Sequence, residues 1–357
     1  MRGTVRYSKI WGTDPYDGYN ATLNYGKVSG NWQWYAQGNV ESKRYDPNDL
    51  GILSAPNEIT YRSGFSYHQF KPTPHFITYS YSFDTRLQYL HTPYAYNRFD
   101  MSATGFWVFN NFWDVTLYAN VLPGSENNYF ELQTEGRFLR YPSNVGFQMS
   151  GSSDSRKKLY VRFGAVYARA HKFDNTFTEI DLGMRYRFSN KFSLDIQTNS
   201  GYETNQLGYA FVRESNGDPI AGFRNNRSYT SVLSGIYNFT SRLNLTLRAR
   251  HYWNKVIYLS FHDVDSKGML VDRPFINGLD ENVNIFNVDA FLTWDFRLGS
   301  RLIIGYKNWL GDNEAVTLTG KNSYMRNLGQ VFDLRHGNEI TVRFIYYLDY
   351  NQFRKKK

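Results

Sequence analysis

Cysteine is absent from all 357 residues, which excludes disulfides, thiolate nucleophiles and Cys-built zinc sites. Long apolar runs are absent as well. A membrane-spanning helix needs about 20 consecutive apolar residues, and the longest run here, Phe344 to Leu348, is far shorter. Helical membrane proteins are therefore excluded. No long segment carries helical periodicity, and no Gly-rich phosphate loop or G-x-S-x-G elbow occurs. The seven histidines, His68, His75, His91, His171, His251, His262 and His336, show no metal-pair spacing. Asp263 to Gly268 begins like a calcium loop, but Lys267 occupies a ligand position and Pro274 stands where the bidentate Glu belongs. No catalytic, cofactor or metal site follows from these residues, so an enzyme has little support.

What abounds is aromatic. Tyr, Phe and Trp make 18% of the chain, more than an ordinary soluble core requires. The 41 Lys and Arg against 32 Asp and Glu give a net charge of +9, and mean hydropathy is −0.57. The basic residues are scattered among polar positions apart from the tail Arg354 to Lys357, a distribution that does not point to nucleic acid.

Segment after segment alternates in steps of two, the mark of a strand with one greasy face. Leu243, Leu245, Leu247, Ala249, His251 and Trp253 oppose Asn244, Thr246, Arg248, Arg250 and Tyr252. Val288, Ala290, Leu292, Trp294 and Phe296 oppose Asn287, Asp289, Thr293 and Asp295. Ile180, Leu182, Met184 and Tyr186 oppose Glu179, Asp181, Arg185 and Arg187, and the pattern returns from Ile340 to Tyr350. Tight turns, such as Val28 to Asn31, Ser152 to Ser155, Ser189 to Lys191 and Leu298 to Ser300, alternate with longer polar loops. Those loops are expected at Val40 to Pro56, Val121 to Ser143, Gln206 to Asn225, His262 to Asn282 and Gly311 to Gly337.

Short turns at one end and long loops at the other distinguish an outer-membrane barrel from a soluble sandwich. The expected fold is all-β: an antiparallel up-and-down transmembrane β-barrel of roughly sixteen strands, one domain over residues 1–357, in the bacterial outer membrane. Its long loops would be extracellular and its apolar faces would meet outer-membrane lipid. Trp32, Trp34, Trp107, Trp113, Trp253, Trp294 and Tyr350 suit interfacial girdles. Asp84, Arg86, Glu179, Asp181, Arg185, Arg187, Asp195, Arg248, Arg250, Asp289, Asp295 and Arg343 are the charged candidates for the lumen.

Tyr45-Asp46-Pro47-Asn48-Asp49-Leu50-Gly51-Ile52-Leu53 adds a resemblance. With Gly26 to Trp32, Asn128 to Glu131, Glu135 to Phe138, Ser152 to Lys158 and Tyr346 to Phe353, it resembles a Gram-negative outer-membrane β-barrel domain family of unassigned function. In that family the barrel commonly follows a family 9-like carbohydrate-binding domain. Asp46, Asn48, Asp49, Leu50 and Gly51 form its most specific loop; by their own chemistry such residues more often cap a turn than bind a cation. The resemblance implies binding or uptake at the cell surface, glycan-related, with a glycan or partner protein at the extracellular loops and no catalytic residues. Two alternatives stand beside it: a scaffold barrel with a filled lumen, and a barrel-embedded lipid or glycan hydrolase. The resemblance and the strand-like start at Arg2 also lead to the expectation that this is the C-terminal part of a larger barrel.

Overall fold

The computed structural model describes residues 1–12, 15–46, 56–315 and 323–349. Asn48, Asp49, Leu50, Gly51 and Tyr350 lie outside them. Seven strands come first: β1 (Arg2–Ile10), β2 (Tyr16–Lys27), β3 (Trp32–Glu41), β4 (Glu58–Gln69), β5 (Phe76–Leu90), β6 (Ala95–Phe109) and β7 (Asp114–Leu122). A small hairpin, β8 (Glu126–Asn128) with β9 (Leu139–Tyr141), stands apart from the main sheet. The meander resumes with β10 (Asn144–Ser152), β11 (Leu159–Ala170), β12 (Thr176–Arg187), β13 (Phe192–Arg213), β14 (Pro219–Asn238) and β15 (Leu243–Val264). It ends with β16 (Leu270–Asp272), β17 (Glu281–Arg297), β18 (Ser300–Ala315), the helix α1 (Tyr324–Gln330) and β19 (Gly337–Ile345). Seventeen strands share one sheet; setting aside the three-residue β16 leaves the sixteen that the alternation led us to expect.

Each long strand pairs antiparallel with its sequence neighbour, β7 joining β10 across the inserted hairpin and β15 joining β17. Between β1 and β19 the sheet is open: among the described residues neither strand pairs on its second edge. The direct β1–β19 seam is therefore not formed.

Period-two sequence becomes two faces. In β12, Thr178, Ile180, Leu182, Met184 and Tyr186 are exposed, whereas the charged residues between them are half-buried. Register carries the faces onward: Leu182 lies opposite Phe163 and Thr198, Phe65 opposite Trp34 and Phe83, and Tyr67 opposite Trp32 and Tyr81. An apolar, aromatic face thus continues from strand to strand. The 12 residues of β12, at about 3.4 Å each and a tilt near 45°, rise about 29 Å, enough for an apolar band about 25 Å tall.

The short turns gather at one end. Leu298 and Gly299 alone join β17 to β18, and Gly299 has the positive φ of 76° that a side chain at that tight reversal would resist. At the same end Asp154 accepts from the Arg156 backbone N–H at 3.0 Å and from its guanidinium at 2.8 and 2.9 Å. The Arg156 side chain holds this carboxyl down at about 2. Because the folded value lies below the ordinary ~3.9, the contact supports the fold above that pH and is lost as pH falls towards 2. Amide protection of the 153–158 turn should therefore drop over that interval, and Asp154→Asn should remove the pH step.

The opposite end departs from the expected loops. Gln206 to Asn225 is mostly sheet: β13 and β14 run 22 and 20 residues and leave only residues 214–218 as a tip. Register shifts between Glu203 and Gln206, and between Tyr209 and Arg213, let these strands continue as a twisted extension. His262 to Asn282 and Gly311 to Gly337 likewise hold strand ends, β16 and α1. Val121 to Ser143 carries β8 and β9. Polar composition there marked solvent exposure rather than irregular backbone.

Candidate functional site

Register places eleven of the twelve expected charged residues on the polar face, Asp295 alone falling in an irregularity between Trp294 and Arg297. Seven successive cross-strand partners form a row: Arg185, Asp195, Ser234, Arg248, Asp289, Lys307 and Glu339. Charge alternates along it on both sides of Ser234, and each opposite-charge neighbour contributes about 0.2–1 kcal/mol. Beside this row Arg162 grips Asp195 at 2.9 and 3.2 Å, and Asn199 donates to Asp181 at 2.7 Å. Arg185 donates to the Ser155 carbonyl at 2.7 Å, Arg187 to that of Arg156 at 3.4 Å, Asn287 to Asp289 at 3.1 Å and Arg301 to Asp295 at 2.6 Å. Arg248, Arg250 and Arg343 form no ion pair among the described residues.

A second cluster lies on β5 and β6. Arg86 and Arg98 both bind Asp100 at 2.9 Å, Arg98 reaches Glu126 of β8 at 3.1 Å, and Tyr35 donates to Asp84 at 2.7 Å. Burial raises the Glu126 carboxyl, and the nearby guanidiniums oppose that shift. Sequence reasoning missed Tyr35, Arg98, Asp100, Glu126, Arg162, Lys307 and Glu339. Most share the parity of residues it did select, so the signal was present and simply not followed along each strand.

Residues 123–143 form a cap over the mouth. From its place between β7 and β10 this segment reaches in both directions. Asn127 and Tyr129 donate to the Tyr96 carbonyl at 3.3 and 3.4 Å, and Lys43 pairs with Glu135. On the far side Glu131 accepts from the Tyr209 N–H at 2.8 Å, and Arg137 binds Asp218 at 3.0 Å and the Val264 carbonyl. Arg213 donates to Thr134 at 2.8 Å and to the Gln133 carbonyl at 3.1 Å. Leu132 and Leu139, both fully buried, pack with Leu207, Tyr209, Ala221 and Val264. Burial and the Glu131 carboxylate raise the Tyr141 phenol.

On the apolar face the girdle assignment of Trp253 is corrected, and its strand neighbour His251 shares the same cover. Trp253 is 1% exposed and His251 is 3% exposed, because α1 lies over them: the Tyr324 ring packs at a tilt with its centroid 5.1 Å from that of His251, and its hydroxyl donates to Ser231 at 2.9 Å. His251 also bonds Asn284 at 2.7 Å, and Asn327 of α1 accepts from Asn282 at 3.0 Å. Trp32, Trp34, Trp113 and Trp294 remain exposed.

The calcium-like loop is a self-capped turn: Asp265 accepts from the backbone N–H groups of Lys267 and Met269 at 2.8 Å, which lowers its carboxyl. Asp46 accepts from Tyr16 at 2.9 Å and takes Ser8 on its backbone N–H at 3.1 Å, so it ties β1 and β2 to the following loop. Ser260, His262 and Asp272 line up at 2.9 and 3.1 Å. The same i, i+2 contact recurs at Ser66 and His68, Asp272 is wholly exposed, and neither cavity beneath the cap reaches Ser260. A strand-face contact accounts for the arrangement.

Those two cavities, of about 420 and 340 Å³, lie between the cap and the ends of β10 to β13. They share Tyr141, Pro142 and Phe173.

No curated protein matches this chain. Among solved structures it is similar to OmpT, an outer membrane protein of Vibrio cholerae, at 11% identity and a TM-score of 0.28, over 81% of this chain and 97% of that one. Over residues 1–357 the sequence matches the family described as a domain of unknown function, DUF5916, and the chain belongs to that family.

Proposed function

We propose that the chain crosses the bacterial outer membrane as a β-barrel, its polar face turned to the lumen, and serves in binding or uptake at the cell surface. The observation that carries this reading is the sixteen-strand alternation of an exposed apolar face with a charged one. A charged face on a passage sets a local field on solutes. Arg250, which faces Val232 and Asn287 across the strands, and Arg343, which faces Ile303, supply charge on that face with no acidic neighbour in register. Outer-membrane lipid is the partner of the apolar face. The resemblance to barrels that follow a sugar-binding domain supports a glycan-related cargo.

The cap favours a second reading, a scaffold barrel with a closed lumen that holds a partner protein. Planar-bilayer recording separates the two: an uptake barrel gives conductance steps when its cap is loosened, and a filled one stays silent. Topology is tested separately. Protease added to intact cells should cut within residues 42–57 or 265–280 and spare Ser189-Asn190-Lys191; cleavage confined to the short turns would invert the orientation.

A further inference from the structure

We propose that the paired cavities beneath the cap form a binding site for a small hydroxyl-rich ligand bearing one acidic group, of the chemical class of sugar acids. This inference deepens the binding role proposed above, and it rests on that reading for the ligand's approach from the cell surface.

The two cavities divide the chemistry. The larger one presents Arg140, His171 and Lys172 and has no carboxylate in its lining. Among the described residues the Arg140 and Lys172 side chains make no ion pair, so an anion entering there meets charge that nothing else neutralises. The smaller one presents Glu126 and Glu203 together with the amides of Asn128, Asn144, Asn175 and Asn205 and a single cation, Arg169. Carboxylates and amides in one small space suit vicinal hydroxyls, which donate to the former and exchange bonds with the latter. Tyr141 and Phe173 stand at the junction and offer ring faces to a ligand's C–H surface. Volumes of about 420 and 340 Å³ fall in the range of small-molecule sites, which combine apolar walls with a few placed polar groups.

Phe173 supplies an independent observation. It sits at φ 70°, followed by Asp174 at φ 48°, in the loop between β11 and β12. Glycine, asparagine and aspartate tolerate such a conformation; a bulky aromatic there is strained by about 1–3 kcal/mol. Turn chemistry alone would not select phenylalanine at this position. Its ring lies 5.0 Å from that of Phe223 and, with Tyr141 and Pro142, lines both cavities, whereas Phe112 and Phe211, which share its positive φ, line neither. Strain of this kind concentrates at ligand clamps.

The test is calorimetric titration of the full chain, folded in detergent, with glucuronate, glucose and acetate as probes. Glucuronate should bind about ten- to hundredfold tighter than either other probe, the worth of one charge-assisted contact. Arg140→Gln with Lys172→Gln should reduce glucuronate to the level of glucose. Phe173→Gly should relieve the backbone and leave thermal stability equal or higher, yet weaken glucuronate and glucose together by about tenfold or more. Equal affinity for the three probes, or a glucuronate preference that survives the double substitution, would overturn the site. Cell-surface proteolysis and bilayer recording of the same preparation report on the barrel reading, so a failed site in a correctly inserted barrel is distinct from a failed barrel.

Discussion

Replacing Leu182 by arginine should cost about 2–4 kcal/mol of folding stability in a bilayer, whereas Asp181→Asn, one residue away, should change stability far less. Leu182 is the middle of the five exposed positions of β12 and is itself 51% exposed. Its register neighbours are Phe163 and Thr198, which offer no carboxylate to a new guanidinium. At mid-band the arginine would face hydrocarbon with no counter-ion. Asp181 is on the other face, where loss of its charge removes one hydrogen bond from Asn199 and leaves the lipid contact intact. Denaturant titration in lipid vesicles, read by heat-modifiable gel mobility, measures both. A Leu182→Arg cost within about 0.5 kcal/mol, typical of a solvated surface position, would mean that the apolar face does not meet lipid.

The second large effect concerns the cap. Arg213→Ala with Arg137→Ala removes the guanidiniums that hold Thr134, the Gln133 carbonyl, Asp218 and the Val264 carbonyl. Hydrogen bonds to a charged group contribute about 1.5–3 kcal/mol each, so the loss of several moves the closing equilibrium by several kcal/mol. A shift of about 5.5 kcal/mol takes a two-state element from 99% closed to 99% open. The unaltered protein should show rare, brief openings in planar bilayers, and the double variant long ones. Protease sensitivity within residues 123–143 should rise in parallel. Identical conductance in both would show that the cap is not the barrier; silence in both, with rising sensitivity, would favour the filled scaffold.

The wall was legible in the sequence because a sheet with one apolar and one polar face imposes a period of two on it. The alternations at Ile180 to Arg187, Leu243 to Trp253 and Val288 to Phe296 all fell in strands with the expected parity. Where the two faces no longer differ in polarity, the signal fades. The β13–β14 extension was read as a loop from Gln206 to Asn225 because its polar residues carry no alternation; its strands are held by pairing and by the cap's leucines. His251 and Trp253 were assigned the right face and the wrong surroundings, since their cover, Tyr324 and Asn327, lies some seventy positions away in the chain. Tertiary pairs such as Arg98 with Glu126 were equally invisible. Of the motif loop, Asp46 was expected to cap its own turn, whereas the bonds it makes to Tyr16 and Ser8 reach back to β2 and β1.

The meander also dictates an order of assembly. Every long strand pairs with its neighbour in the chain, so the wall can grow hairpin by hairpin with short loop closures at each step. The cap cannot. Its tether to Lys43 spans 92 residues, that to Tyr209 spans 78 and that to the Val264 carbonyl spans 127. Residue 264 ends β15, so the last of these bonds forms only after the thirteenth long strand is in place. During biogenesis the mouth is therefore open while the wall is zippered, and cap closure is a late kinetic event. Pulse-labelled protease protection of residues 123–143 should lag behind the acquisition of sheet structure.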